Sequence, residues 1–161
     1  MTSSDSGRRD DGPGSLEPGA MDPNSVGPDS LDRLRGLRVL VVEDDVDARE
    51  LLHFALQDRG MVVTSVGTVP EALAALSSQQ PHVLLSDVGL PGQDGYALLR
   101  AVRDLPAARG GGVVAVAVTA FGRDEDRRNA IDAGFDVHLS KPIEPESLLH
   151  VLAEALSQFA G

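Results

Sequence analysis

The sequence predicts an α/β fold in which five strand–helix units are arranged around a parallel sheet. After residue 37, short apolar runs alternate with longer stretches of helical periodicity, which is the pattern of repeated βα units. The apolar runs are mostly continuous rather than alternating, as expected for strands that are covered on both faces. The predicted strands are residues 37–42, 62–66, 82–86, 113–119 and 136–140.

Helical patterns follow the strands and have recognisable ends. Thr68 and Glu71 predict a capping box at the start of the second helix. Gly60 predicts the end of the first helix, and the fourth, over 123–133, also stops at a glycine. The fifth helix is predicted over 145–159. The apolar positions expected on the buried sides of the helices are Leu51, Leu52, Ala55, Leu56, Leu73, Ala74, Leu76, Tyr96, Leu98, Leu99, Val102, Ala130, Ile131, Leu148, Leu152, Ala155 and Phe159.

The amino-terminal segment has a different composition. Residues 1–30 consist largely of Ser, Asp, Gly and Pro, with almost nothing to bury. Ordering such a segment could not recover its conformational entropy. We therefore predict a disordered tail over residues 1–35 and one folded domain over residues 36–161, which is an ordinary length for a single domain.

Composition excludes several classes of function. The net charge is -11 and no segment gathers basic residues into a stripe, so nucleic acid is not expected as a partner. The chain has no cysteine, and its four histidines lie too far apart for a zinc pattern. No apolar run has the layout of a signal peptide or the length of a membrane span. We expect a cytoplasmic protein that has no membrane partner.

Polar residues cluster at the carboxyl ends of the predicted strands, where open parallel sheets bind ligands. Strand one is followed by Glu43 and Asp44, strand three by Asp87, strand four ends at Thr119, and strand five is followed by Lys141. If strands one and three are neighbours, the three carboxylates converge and need a cation between them. Oxygen ligands without histidine or cysteine favour Mg²⁺.

The acidic triplet 43–45 has a second interpretation. It could be an acidic turn that starts a helix and is stabilised by the helix dipole. The polar residues at the other strand ends favour the metal site. Lys141 adds to this interpretation, because it is the only lysine in a chain whose other 13 basic residues are arginine. A compact ammonium is suited to a site that needs a point charge.

This set of side chains is suited to phosphoryl transfer. A carboxylate can attack phosphorus and hold the group as an aspartyl phosphate. The reaction needs in-line positioning, a metal that bridges the oxygens, and donors for the charge on the transferred group. Asp87 would be the nucleophile, the Thr119 hydroxyl a donor, and the Lys141 ammonium the ion-pair partner.

Four motifs together resemble the receiver domain of two-component response regulators. They are VVEDD, LLSDVGLPGQDGY, VAVTA and HLSKPI, within a segment from Leu37 to about Phe159. The resemblance implies a flavodoxin-like (βα)5 doubly wound sheet with the strand order 2-1-3-4-5. It also implies a cis peptide bond between Lys141 and Pro142.

The resemblance also implies a role for each matched residue. The domain would be regulatory and not an enzyme, assisting only its own phosphorylation and dephosphorylation. Asp45 would help to start the following helix. The implied site comprises Asp87 as phosphoacceptor, Glu43 and Asp44 as the acidic pair that holds Mg²⁺ together with Asp87, the backbone carbonyl of Gly89 as a further ligand, and Thr119 and Lys141 as contacts of the phosphoryl group.

The partners implied by the resemblance are proteins. A sensor histidine kinase or a histidine phosphotransfer protein would donate the phosphoryl group. A downstream target would bind the face formed by the fourth helix, the fifth strand and the fifth helix. We expect no DNA-binding output domain after the fifth helix, as in a stand-alone receiver or in the receiver segment of a hybrid kinase. A phosphorylation-dependent dimer is left open.

The sequence departs from the family pattern at three positions. His138 stands where Tyr or Phe usually acts as a rotating switch that works with Thr119, and we expect it to fill this position without acting as a pH sensor. Gly89 and Phe121 occupy positions that often carry polar side chains able to orient the hydrolytic water. We therefore expect slow self-dephosphorylation. The fourth helix buries little and is suited to shift between two arrangements.

Two other functions remain open at this point. A haloacid-dehalogenase-type Mg²⁺-dependent phosphatase also combines Asp, Thr and Lys, and Asp45 and Asp47 supply two of the three residues of its motif after strand one. That assignment leaves Asp87 without a role. A receiver fold could also serve as a binding module that is never phosphorylated, although every residue needed for phosphorylation is present.

Overall fold

Five parallel strands form a single sheet in the order β2-β1-β3-β4-β5. The structure is a computed structural model and describes residues 33–89, 94–120 and 123–159. The predicted strands and their order are confirmed, and each predicted boundary lies within one residue of the observed one. The strands are β1 (Arg38–Val42), β2 (Val62–Val66), β3 (Val83–Asp87), β4 (Val114–Thr119) and β5 (Val137–Ser140).

Helices connect the strands and cover both faces of the sheet. They are α1 (Val46–Gln57), α2 (Val69–Gln79), α3 (Gly95–Arg103), α4 (Asp124–Ala133) and α5 (Pro145–Phe159), with a short 3-10 turn at Ala107–Arg109 before β4. The first four correspond to the predicted helices, and α5 has the predicted bounds. The fold is therefore the flavodoxin-like arrangement that the family resemblance implies.

The predicted capping box at the start of α2 is confirmed. The Thr68 hydroxyl accepts a hydrogen bond of 3.3 Å from the Glu71 amide. The Glu71 carboxylate accepts one of 3.1 Å from the Gly67 amide. This hydrogen bond is the main reason why the pKa of Glu71 lies below its ordinary value. The box fixes the turn that joins β2 to α2.

The core has two layers, one on each face of the sheet. Leu40 and Leu84 pack against α2, α3 and α4, whereas Val41 and Leu85 pack against α1 and α5. All of these side chains are nearly fully buried, because successive residues of a strand point to opposite faces and both faces are covered. This arrangement explains why the strands are continuous apolar runs in the sequence.

Several helix positions predicted to face the core are exposed instead. Leu51 is 64% exposed, Ile131 is 47% exposed and Phe159 is 43% exposed. Ala74 is also exposed, while the next residue, Ala75, is buried. Consecutive helix residues are separated by about 100° around the axis, so adjacent apolar residues cannot all face the sheet. In α4 the buried partner of Ala130 is therefore Ala133 and not Ile131.

The segment before β1 contributes two residues, Leu34 and Leu37, to the core. Of the predicted tail, only residues 33–35 lie within the described ranges. Leu34 is 1% exposed and packs in the layer that contains α1 and α5. The Gly36 amide donates a hydrogen bond of 2.7 Å to the Gly60 carbonyl, which holds this segment against the end of α1.

Among the helices in the described ranges, none is both long and apolar enough to cross a membrane.

Arg103, at the end of α3, binds three other segments of the chain. Its guanidinium donates to the carbonyls of Gly134 at 2.8 Å, Gly111 at 2.8 Å and Val113 at 2.7 Å. It also forms an ion pair of 3.0 Å with Asp136, whose carboxylate accepts a hydrogen bond from the Ala115 amide. One side chain thus connects α3, the end of α4 and the starts of β4 and β5.

We predict that Arg103→Met lowers the free energy of unfolding by about 2 kcal/mol, because half-buried carbonyls and Asp136 lose a charged donor. Urea unfolding measures this change. Arg100→Met, at an exposed position in the same helix, is the control and should cost less than about 0.5 kcal/mol. Equal losses in the two variants would contradict the role assigned to Arg103.

Candidate functional site

The pairing of β1 with β3 brings acidic side chains together at one end of the sheet. Val42 and Ser86 are register partners, so Glu43 and Asp87, the next residues, lie side by side. One carboxylate oxygen from each of Glu43, Asp44 and Asp87 lies within 4.8 Å of the others. Glu43 is buried, Asp87 is partly buried and Asp44 is exposed. The three carboxylates thus form a cluster that opens to solvent on the Asp44 side.

Lys141, which follows β5, binds two members of this cluster. Its ammonium donates to Glu43 Oε1 and to Asp87 Oδ2, each at 3.1 Å. Burial lowers the pKa of Lys141, but the hydrogen bonds and charges of Asp87 and Glu43 outweigh burial, and the pKa lies above its ordinary value. The lysine therefore stays protonated. The Lys141–Pro142 bond is cis, as the family resemblance implies.

Glu43 is in a less favourable electrostatic environment than Lys141. Burial raises its pKa, and the charge of Asp87 raises it further, against the opposing effects of the Asp45 amide and Lys141. Three carboxylates face a single ammonium, so the cluster carries a surplus of negative charge that is partly buried. A hard divalent cation with oxygen ligands fits this surplus and this donor set.

Thr119 and His138 meet at the adjoining strand ends. The Thr119 hydroxyl and His138 Nε2 are 2.8 Å apart and form a hydrogen bond. Burial lowers the pKa of His138; Asp126 opposes this effect and Arg127 adds to it. The ring is therefore mainly neutral at neutral pH. That His138 fills the switch position without acting as a pH sensor stays a prediction.

The remaining residues named from the sequence have defined positions, with one exception. Asp45 starts α1, as expected, because its carboxylate accepts a hydrogen bond of 3.0 Å from the Ala48 amide. Gly89 is exposed beside the site, and its amide donates to Asp87 Oδ1 at 2.9 Å. Metal binding by its carbonyl stays a prediction. Phe121 lies outside the described residues.

Sequence reasoning missed one side chain at the rim of the site. Arg49, in α1, donates a hydrogen bond of 3.0 Å to the backbone carbonyl of Glu43. The guanidinium lies directly over Gly67. An arginine four residues after an N-cap is unremarkable in a sequence, and the contact depends on the neighbouring strand, so no local pattern could have revealed it.

The fold and the acidic site define a class of proteins. A doubly wound parallel sheet carries three carboxylates, a threonine and a lysine at the carboxyl ends of its strands. The family model described as the response regulator receiver domain matches residues 39–153. The chain therefore belongs to the receiver domain family of two-component response regulators.

Curated relatives include both short and long proteins. An uncharacterized 14.6 kDa protein of Leptolyngbya boryana is 40% identical over 124 residues, which cover 77% of this chain and 93% of that protein. The KDP operon transcriptional regulatory protein KdpE of Escherichia coli is 35% identical over 104 residues, or 65% of this chain. The match spans only 44% of KdpE.

Solved structures share the whole domain. Chemotaxis response regulator CheY4 of Vibrio cholerae superposes with a TM-score of 0.70 at 29% identity, covering 74% of this chain and 98% of CheY4. A response regulator of Chloroflexus aurantiacus gives a TM-score of 0.71 at 31% identity. That match covers 77% of this chain and 100% of the other.

We predict a pH-dependent contribution of His138 to stability. Burial lowers the pKa of His138 in the folded state. As pH falls below about 6.5, the unfolded chain therefore binds a proton at this histidine more readily than the folded protein does. The free energy of unfolding decreases until the pH passes the lower pKa of the folded state. Between about pH 7.5 and about pH 5.5, the free energy of unfolding should fall further for the unmodified protein than for His138→Phe. Urea unfolding at both pH values measures this. An equal decrease in the two proteins would refute the prediction.

Proposed function

We propose that this domain accepts a phosphoryl group on Asp87 from the phosphohistidine of a sensor histidine kinase or a phosphotransfer protein. The observation that carries the proposal is the position of Asp87, whose carboxylate lies among two other carboxylates and is bound by the Lys141 ammonium at 3.1 Å. If Asp87 is the nucleophile, it lies beside a fixed positive charge. Family membership supports the same function.

The proposed reaction is a transfer between two nucleophiles. An Asp87 carboxylate oxygen attacks phosphorus as the phosphorus–nitrogen bond to the donor imidazole breaks, and the electron pair of that bond stays on the nitrogen. Lys141 neutralises negative charge on the phosphoryl oxygens. The Thr119 hydroxyl, at the end of the neighbouring strand β4, supplies a hydrogen-bond donor.

Mg²⁺ is proposed as the cofactor. The carboxylates of Glu43, Asp44 and Asp87 would hold it, with the Gly89 carbonyl as a further ligand. Bound there, Mg²⁺ supplies positive charge to the phosphoryl oxygens and the incoming nucleophile. The oxygen-only donor set and the surplus negative charge of the cluster support this choice over a softer metal.

The proposed output is a change in protein contacts. A phosphoryl group on Asp87 adds an acceptor for the Thr119 hydroxyl, which in this structure is hydrogen-bonded to His138 at 2.8 Å. If that hydroxyl shifts toward the phosphoryl group, the His138 ring loses its hydrogen-bond partner. His138 is part of β5, which lies beside α4 and α5. We therefore propose that α4, β5 and α5 form the face that downstream proteins bind.

The phosphatase alternative is less well supported. It requires Asp45 as the nucleophile, but that carboxylate accepts the capping hydrogen bond from the Ala48 amide. The family match also favours a receiver domain. A receiver fold that only binds proteins would not need the ion pair between Lys141 and Asp87.

Replacing the phosphoacceptor provides the direct test. Asp87→Asn should abolish covalent phosphorylation by a small phosphoryl donor such as phosphoramidate in the presence of Mg²⁺, because the amide is not a nucleophile toward phosphorus. Intact-protein mass spectrometry detects the adduct. Asp45→Asn is the control and should still be phosphorylated. If Asp87→Asn is labelled and Asp45→Asn is not, the phosphatase assignment replaces ours.

Lys141→Arg should separate phosphorylation from its structural consequence. The charge is kept, but a planar guanidinium cannot reproduce the two contacts of 3.1 Å made by one ammonium. We expect an adduct on Asp87, detected by mass, without the change in the NMR signals of the His138 ring that phosphorylation causes in the unmodified protein. Arg59→Lys, in the exposed pair with Glu146, is the matched control and should behave as the unmodified protein does. A normal His138 response in Lys141→Arg would contradict the role of the lysine.

A further inference from the structure

Arg49 is positioned to fix the peptide group between the two acidic residues that follow β1. Its Nη1 atom donates to the Glu43 carbonyl at 3.0 Å. On the other side of the same residue, the Glu43 amide donates to the Val66 carbonyl at 3.0 Å. Both backbone polar groups of Glu43 are thus bound, one by β2 and one by a charged side chain from α1. The chain then continues directly into exposed Asp44.

Gly67 provides the space in which the Arg49 guanidinium lies. A Cβ atom at this position would be 2.5 Å from Nη1 and 3.7 Å from both Cζ of Arg49 and the Glu43 carbonyl oxygen. The backbone of Gly67 is outside the left-handed region, so the glycine is required by space and not by conformation. Any larger residue would displace the end of the arginine side chain.

The other side of Gly67 is fixed by the capping box of α2. The Gly67 amide donates to Glu71 Oε1 at 3.1 Å, and the charge of Arg49 contributes to lowering the pKa of Glu71. The glycine therefore cannot move away readily to make room for a substituent. The turn from β2 into α2 thus limits the space in which the guanidinium can lie beside the Glu43 carbonyl.

We propose that Arg49 is a positioning residue for the cation site. It touches none of the reacting groups, and it acts by fixing the Glu43–Asp44 peptide and so the spacing of the two carboxylates. This inference rests on the proposed function, because it concerns the affinity of the acidic cluster for Mg²⁺. Groups that orient metal ligands from behind typically change metal affinity about tenfold or more when they are removed.

The test must separate position from charge, because the positive charge of Arg49 by itself opposes cation binding. Gly67→Ala keeps the arginine and its charge but displaces the guanidinium from the Glu43 carbonyl. We expect the dissociation constant for Mg²⁺, measured by following backbone amide NMR signals, to rise about tenfold. Gly112→Ala is the matched control, since a Cβ atom there meets nothing within 4 Å. Urea unfolding should show the folded state intact in both variants.

A second variant makes the test independent of general damage at Gly67. In Arg49→Lys the charge is kept, but the side chain ends where Cζ stands, so the hydrogen bond to Glu43 is lost and Mg²⁺ affinity should fall by a similar factor. A Cβ at position 67 would be 3.7 Å from that point, which is an ordinary contact. Gly67→Ala should therefore cause no further loss of affinity in the Arg49→Lys background.

The possible results distinguish a failure of the role assigned to Arg49 from a failure of the proposed metal site. If the unmodified protein binds Mg²⁺ and Gly67→Ala binds it equally well, the role of Arg49 is wrong and the proposed function stands. If the losses in Gly67→Ala and Arg49→Lys multiply in the double variant, the two residues act separately and the inference also fails. If the unmodified protein does not bind Mg²⁺, the metal site of the proposed function is wrong, and this inference fails with it.

Discussion

The parallel pairing of β1 with β3 is the constraint on which the site depends. It places Glu43 and Asp87 at adjacent strand ends, although they are 44 positions apart in sequence. Two like charges at that distance repel, and the Lys141 ammonium offsets the repulsion by binding both. The lysine comes from the end of β5, on the far side of β4. The sheet order thus decides which charges meet, and the charges then restrain the loops that carry them.

Much of the fold was predictable because its local signals agree with its tertiary contacts. Strands covered on both faces are continuous apolar runs, and Thr68 with Glu71 marks the start of α2 without reference to any other element. The order of the strands in the sheet could not be predicted from such local signals. Periodicity does not say which strands are neighbours, and the order came from the family resemblance. The side chains that converge at the strand ends followed from the residues together with that order.

The misassigned residues also have a physical explanation. Leu51 and Ile131 are apolar residues of α1 and α4 that point to solvent, because only part of a helix surface can face the sheet. Leu34 shows the opposite case, since one apolar side chain is buried beside a polar segment. The role of Arg49 could not be found from sequence, because its partner is the backbone carbonyl of Glu43 and its space is left by a glycine in the turn after β2. The types of the nearby residues do not reveal a backbone acceptor or an unfilled space.

The hydrogen bond from Arg103 to the Gly134 carbonyl gives α4 a fixed point at its carboxyl end. The helix has ten residues and is about 15 Å long, so its first turn lies far from this fixed point. A rotation of α4 about this point would leave the turn at Gly134 almost in place and would move the first turn, at Asp124, the furthest. The first turn is also the end of α4 nearer the carboxyl ends of the strands. Under the proposed function, a displacement that starts at Thr119 would therefore act on the end of α4 that lies furthest from its fixed point.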